Sequence, residues 1–122
     1  MSYPYELDDE TLWEAGYHSG RLYFFLAQGA AEYLELPTGL ARNDRIGGCD
    51  IELPTSRAFV EGLYDSHSRT NSPLLRGLWH GLLVTSLVLL DMAGPSITLR
   101  AEDEEALRGE MASFGRSMGA AN

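Results

Sequence analysis

Two histidines, His67 and His80, are the side chains of this sequence best suited to acid–base chemistry. Histidine titrates near neutral pH, and a neighbouring carboxylate can orient its ring for proton transfer. His67 lies near the end of one predicted helix, and His80 lies within the next one. If these helices pack antiparallel, both rings approach one cleft, where Asp65 or Asp50 would orient an imidazole. The two histidines would then act as a general acid and a general base.

The sequence also fits a purely structural role for both histidines. A half-exposed His67 near a helix C-terminus would be stabilised by the helix dipole. His80, placed in the interior, would be satisfied by a hydrogen bond to a backbone carbonyl. The residues alone do not decide between the catalytic and the structural interpretation.

Candidate metal ligands are scattered over four predicted elements, so we expect no metal site and no cofactor. The sequence contains neither an H-x-x-x-H pair nor a C-x-x-C pair, the close spacings typical of zinc ligands. Cys49 alternates with Ile51 and Leu53 as in a strand, which predicts a buried structural thiol rather than a nucleophile. Phosphate-binding loops and G-x-S-x-G serine motifs are absent. The scattered ligands are His18, His67, His80 and Cys49.

Aromatic residues near the first predicted helix form a candidate ligand or partner surface. Because several rings crowd one helix, some must face away from its main apolar stripe, and such rings can bind a ligand or a partner. The same rings could instead pack beneath the N-terminal hairpin. The candidate surface comprises Trp13, Tyr17, His18, Tyr23 and Phe24.

The composition is acidic, with nine arginines, no lysine and eighteen Asp and Glu residues, for a formal net charge of −9. Such a surface repels phosphate backbones, so we expect no nucleic-acid partner, and it favours a basic protein partner through electrostatic steering. Without lysine, Schiff-base chemistry and a Walker-type phosphate site are excluded.

A single cysteine suits a reducing compartment. The N-terminus does not resemble a signal peptide, and the longest charge-free apolar run, 81–90, is about half of the ~20 residues that a spanning helix needs. We therefore expect a cytoplasmic protein that does not enter a membrane.

An apolar helix predicted over 72–93 is the strongest structural signal. Ser72 is a typical N-cap, Pro73 suits the first helical position, and Gly94 is a typical stop. Apolar residues occur on all sides of this helix, so other elements are expected to wrap it. The residues predicted to be almost fully buried are Leu83, Leu87 and Leu90.

The remaining pattern predicts a single α+β domain over 1–122 that is mainly helical. The domain has about four helices arranged around the apolar central helix 72–93, and a small sheet of three or four short strands. Pro4 is expected to place the first strand at a sheet edge. The other helices are predicted over 16–36, 54–68 and 102–118, the strands over 3–7, 11–15, 49–53 and 96–100, and a loop over 41–48. The first helix is predicted to bury Leu22, Leu26, Ala30 and Tyr33.

The last predicted helix carries a narrow apolar stripe that needs a cover. A second copy of the chain is a common solution, which predicts a homodimer, and docking on the chain's own sheet is the alternative. The stripe consists of Leu107, Met111, Phe114 and Met118.

Several short motifs follow one another in a distinctive order. They are Thr11-Leu12-Trp13, Pro37-Thr38-Gly39-Leu40, Asp50-Ile51, Leu89-Leu90 and Ala93-Gly94. This order resembles a family of small actinobacterial proteins of unknown function over residues 5–95. The resemblance implies a shared fold and no catalytic residue.

Two functions remain compatible with the sequence. The first is a small acidic cytoplasmic interaction protein without catalysis, such as an immunity-type or regulatory partner. The alternative is a small helical enzyme or ligand-binding protein that holds a small molecule between its helices, with His67, His80 and Asp65 as catalytic residues. A deep apolar cavity with convergent polar groups would favour the alternative, whereas an exposed aromatic patch would favour the interaction protein.

Overall fold

A computed structural model of the chain describes residues 1–94 and 96–119 as a four-stranded sheet packed with four helices. This arrangement confirms the predicted α+β class with helix dominating. The strands are β1 (Ser2–Leu7), β2 (Glu10–Gly16), β3 (Leu40–Asn43) and β4 (Gly48–Ile51). The helices are α1 (Tyr17–Leu34), α2 (Leu53–Arg69), α3 (Pro73–Ala93) and α4 (Ala101–Met118).

Helix α3 begins and ends where its capping residues predict. The Ser72 hydroxyl accepts a hydrogen bond from the Leu75 backbone N–H at 3.2 Å, which satisfies one of the free donors of the first turn. At the other end Gly94 has a φ of 139°, and its N–H donates to the Leu90 carbonyl at 3.1 Å. By length and composition α3 could cross a membrane, and half of its most apolar window is buried inside the protein.

The sheet has the strand order β2-β1-β4-β3, and β1 is therefore a central strand. It pairs antiparallel with β2 and parallel with β4, while β3 pairs antiparallel with β4. The expectation that Pro4 marks an edge strand was wrong. The ladder between β1 and β4 begins at Tyr5, opposite Cys49, so the missing N–H of Pro4 falls one residue before it.

Two predictions about the remaining strands were also wrong. Residues 96–100 alternate as a strand would, yet they form an extended connection without a strand partner, in which Ile97 is buried. The Arg100 N–H of this segment donates to the Tyr64 hydroxyl at 2.8 Å instead of to a neighbouring strand. The fourth strand is β3, within the polar stretch that the sequence predicts to be a loop. An edge strand needs few apolar residues, so hydrophobic periodicity does not reveal it.

The core forms around the C-terminal two-thirds of α3, where Leu83, Leu87 and Leu90 are buried as predicted. The first turns of α3 are different, because Leu74 and Leu78 are 74% and 71% exposed. The expectation that this helix is wrapped on all sides therefore fails at its N-terminal end.

Helix α4 packs against α3 of the same chain. The residues of its predicted stripe are buried or, for Phe114, half-buried, so the stripe has an intramolecular cover. Most of the cover is α3, and at the C-terminal end the Trp13 indole of β2 donates a hydrogen bond to the Met118 carbonyl. A homodimer remains a prediction, but this stripe no longer requires one.

Helix α1 turns a different face to the core from the one predicted. Leu22, Leu26 and Tyr33 are exposed, and of the predicted stripe only Ala30 is buried. The reason is close packing on the sheet, since a Cβ atom at Gly20 would lie 2.8 Å from the Cβ atoms of Ala15 and Tyr3. The buried face is accordingly small or aromatic: Gly20, Tyr23, Phe24, Ala27, Ala30 and Ala31.

Candidate functional site: the groove between α1 and α3

The rotation of α1 opens an apolar groove between α1 and α3, with a volume of about 900 Å³. We define the α1–α3 groove by its walls and its floor. The α1 wall is formed by Leu22, Phe25, Leu26 and Tyr33, and the α3 wall by Leu75 and Leu78. The floor is formed by Trp13, Tyr23, Trp79 and Met118.

Polar groups are sparse in this groove. Among the described residues that line it none is charged, and the hydroxyl groups come from Ser19, Tyr23, Tyr33, Thr85 and Ser117. The Thr85 hydroxyl already donates to the Gly81 carbonyl at 2.9 Å, and the Tyr23 hydroxyl is bonded to Ser86. The groove can therefore recognise shape and apolar surface, but it offers few directional contacts.

Three glycines leave parts of the groove without side chains. A Cβ atom at Gly29 on α1, or at Gly77 or Gly81 on α3, would meet nothing within 4 Å. These residues lie in helix interiors, where glycine is less favourable than alanine by roughly 0.5–1 kcal/mol. They leave room for close approach of a bulky occupant to both helices.

The two candidate catalytic histidines do meet, and they connect three helices. His67 Nε2 of α2 lies 3.3 Å from His80 Nδ1 of α3, and His80 Nε2 is bonded to the Glu110 carboxylate of α4. The expected carboxylates are elsewhere. Asp65 forms long ion pairs with Arg69 and Arg100, and Asp50 accepts a hydrogen bond from the Asn43 side chain.

Sequence reasoning missed Glu110, which lies 30 residues from His80 along the chain. One signal could have found it, because Glu110 directly precedes Met111 of the buried stripe and therefore borders the face that packs on α3. Neither histidine lines the α1–α3 groove, the small cavity between α2 and α3 or the one at the C-terminal end of α1. The bonded histidines thus connect α2, α3 and α4.

Burial lowers the pKa of His67 below 6.5, and the nearby His80 and Arg76 lower this pKa further. Asp103 and Glu110 oppose the shift because their negative charges favour the imidazolium. The neutral ring is therefore favoured in the folded protein more than in the unfolded chain.

The low pKa of His67 predicts a loss of stability in mild acid. Between the pKa of His67 in the folded protein and 6.5, the unfolded chain binds more protons than the folded protein does. The contribution of neutral His67 to the free energy of unfolding is therefore complete above pH 6.5 and is lost as the pH falls through the folded pKa. We expect His67→Gln to flatten the pH dependence of Tm between about pH 7.5 and pH 5.5. Parallel pH profiles for wild type and His67→Gln would contradict the prediction.

The five candidate surface residues occupy different environments. Trp13, Tyr23 and Phe24 are buried, Trp13 and Tyr23 beneath the groove and Phe24 in the core. Tyr17 is half-buried and His18 is exposed, with their ring centroids 5.4 Å apart.

The exposed rings in the groove wall are Phe25 and Tyr33, which the sequence reasoning did not select for a surface. Helical spacing places Tyr33 on one face with Leu22 and Leu26, and that face predicts a core position. Because large apolar residues are usually buried, helical periodicity alone predicted that the wrong face of α1 packs on the core.

Cys49 is fully buried, and its sulfur lies 3.5 Å from the Tyr3 hydroxyl. Burial raises the pKa of this thiol, which keeps it protonated and unreactive at neutral pH. Within residues 1–94 and 96–119, no group of three His, Cys, Asp or Glu side chains is placed to hold a metal ion.

Comparison with known proteins identifies the family. No curated protein and no solved structure matches the chain. A model described as a family of unknown function, DUF6086, matches residues 1–120 and so includes α4, which lies beyond the motifs noted in the sequence. The chain therefore belongs to the family of unknown function DUF6086.

Proposed function

We propose that this protein is an interaction protein whose α1–α3 groove binds the apolar face of a helix from a basic partner protein. One observation carries the proposal: large apolar side chains on both sides of the groove remain half to three-quarters exposed. A small molecule on the floor would leave the outer ends of these side chains in water. An amphipathic helix would cover both walls at once.

The dimensions of the groove suit such a helix. The lining residues of the groove extend over 22–33 on α1 and 75–85 on α3, which corresponds to lengths of about 17 and about 15 Å. A segment of about 11 residues with apolar side chains at i, i+3, i+4 and i+7 has a similar length and covers one face. Gly29, Gly77 and Gly81 would allow its backbone to approach closely.

Charge supports a basic partner over a second copy of the chain. The formal net charge of −9 attracts a cationic protein over long range, whereas two copies of this chain repel each other. No charged side chain is found among the described residues that line the groove, so the approach would be electrostatic and the contact itself apolar. We propose a regulatory or immunity-type role in the cytoplasm, in keeping with the single reduced cysteine.

The enzymatic alternative has less support. It requires a substrate to reach His67 or His80, and neither ring lines the α1–α3 groove or the two smaller cavities beside α1 and between α2 and α3. Asp65, the third candidate catalytic residue, pairs with arginines rather than with a histidine.

Substitution of Gly81 tests the proposed function by separating stability from binding. Gly81→Ala should raise the free energy of unfolding by about 0.5–1 kcal/mol, because alanine favours the helix and its Cβ meets no atom. The added methyl group should nevertheless weaken binding of a groove helix at least about tenfold, through overpacking of the complex. Urea denaturation measures the first effect, and calorimetric titration with a helical peptide selected on the wild type measures the second.

The matched control is Gly109→Ala on the exposed side of α4, where a Cβ atom also meets nothing within 4 Å. This variant should gain similar stability and bind the peptide as the wild type does. Undiminished peptide binding by both Gly81→Ala and Leu78→Glu would exclude the groove as the binding site. Light scattering that shows a dimer, dissociated by Leu78→Glu, would instead place a second copy in the groove and overturn the proposal of a separate partner.

A further inference from the structure

Two arginines converge on Phe25 at the rim of the α1–α3 groove. The guanidinium carbon of Arg21 lies 5.7 Å from the centroid of the Phe25 ring, and that of Arg42 lies 5.4 Å from it. Arg21 belongs to α1 and Arg42 to β3, so two separate elements each place one positive charge beside the Phe25 ring. Because Phe25 also lines the groove, the Arg21–Arg42 pair borders the apolar contact surface.

Both guanidinium groups lack a carboxylate partner within 4 Å in the part of the chain that the structure describes, although acidic residues outnumber basic ones two to one. Arg69, Arg100 and Arg108, by contrast, each form an ion pair. A carboxylate placed beside Phe25 would supply the negative charge that both guanidinium groups lack.

The aromatic contacts also prepare the two arginines to bind an anion. Arg21 lies 5.2 Å from the Tyr17 ring centroid, and Arg42 lies 5.3 Å from that of Phe24, so each guanidinium is near two rings. Such contacts restrict a long, flexible side chain and reduce the entropy lost when it binds. The guanidinium N–H groups are strong, charge-assisted donors to a carboxylate.

We infer that the Arg21–Arg42 pair binds an Asp or Glu side chain of the helix that occupies the groove. This inference rests on the proposed function and adds a polar contact that sets the direction and register of the helix. The bound helix carries its carboxylate beside the apolar stripe, next to Phe25, and is basic over the rest of its polar face. The net charge of the protein draws the partner in, and the Arg21–Arg42 pair orients it.

Selection from a displayed library of helical peptides, used in place of the natural partner, tests this inference. The library keeps apolar residues at i, i+3, i+4 and i+7 of a helical peptide and randomises the other positions. Peptides selected on the wild type should be enriched in Asp or Glu at one position beside the apolar stripe. Selection on the Arg21→Gln, Arg42→Gln double variant should recover the same apolar pattern without that enrichment.

Affinities of one selected peptide then measure the contact. The double variant should bind it about tenfold more weakly, and replacing its acidic residue with Gln should cause the same loss in the wild type. The two changes together should cause no further loss, which identifies a direct pair. A variant with Arg45→Gln, an exposed arginine in the turn between β3 and β4, controls for charge and should retain full affinity.

The outcomes separate the two proposals. Peptides that bind without an acidic preference, yet lose binding with Leu78→Glu, would overturn the Arg21–Arg42 inference and leave the groove function intact. Failure to recover any peptide whose binding depends on Leu78 would overturn both.

Discussion

Replacing Leu87 with alanine is expected to lower the free energy of unfolding by about 2–5 kcal/mol. Leu87 is 1% exposed and lies on α3 between Leu83 and Leu90, which are also buried. The loss combines the transfer free energy of the deleted carbons with the cavity that remains. Urea denaturation followed by circular dichroism measures this effect.

The control lies on the same helix. Leu78→Ala removes the same atoms from a side chain that is mostly in water, and we expect a change within about 0.5 kcal/mol. Equal effects of the two substitutions would contradict the placement of the core around the C-terminal part of α3.

Gly48→Ala is expected to destabilise the protein by about 3 kcal/mol, at the upper end of the range for overpacking. A Cβ atom at Gly48 would overlap the Pro4 carbonyl oxygen and lie 2.9 Å from the Pro4 nitrogen. Both of these atoms belong to the backbone of the central strand β1, so relief would require β1 and β4 to move apart. Thermal unfolding should show a markedly lower Tm.

Gly29→Ala serves as the comparison, because a Cβ atom at that helical position meets no atom within 4 Å. It should leave Tm unchanged or slightly raised. A wild-type Tm for Gly48→Ala would show that β1 and β4 do not approach as closely as described.

Features determined by neighbouring residues could be predicted from the sequence. The ends of α3 depend on the Ser72 side chain and on Gly94, and both lie within a few residues of the groups they satisfy. Which face of α1 is buried depends on residues outside the helix, because Gly20 must fit against Tyr3 and Ala15 of the sheet. Helical periodicity cannot show this, since α1 has two apolar faces and the sheet selects the one that carries Gly20.

The candidate sites likewise combine contacts that the sequence suggests with contacts that depend on distant elements. The contact between His67 and His80 follows from the packing of consecutive helices, which the sequence suggests. Glu110 reaches His80 only through the docking of α4, and Arg42 reaches Phe25 only through β3, a strand that periodicity did not reveal. Trp13 and Tyr23 of the predicted surface lie in the groove floor, but the exposed groove wall was missed because an apolar residue at helical spacing is ordinarily assigned to the core, whether or not a neighbour covers it.

The composition of the groove floor gives the protein an intrinsic optical probe. Its two tryptophans, Trp13 and Trp79, both line the groove and are 4% and 8% exposed. The indole N–H of Trp13 donates to the Met118 carbonyl at 3.2 Å, so Trp13 also senses the end of α4, whereas Trp79 lies in α3 and its ring centroid is 5.8 Å from that of Tyr33. Indole emission depends on local polarity and on nearby quenchers. In a Trp79→Phe variant, the remaining emission of Trp13 reports mainly on the docking of α4. In a Trp13→Phe variant, the remaining emission of Trp79 reports mainly on the groove wall.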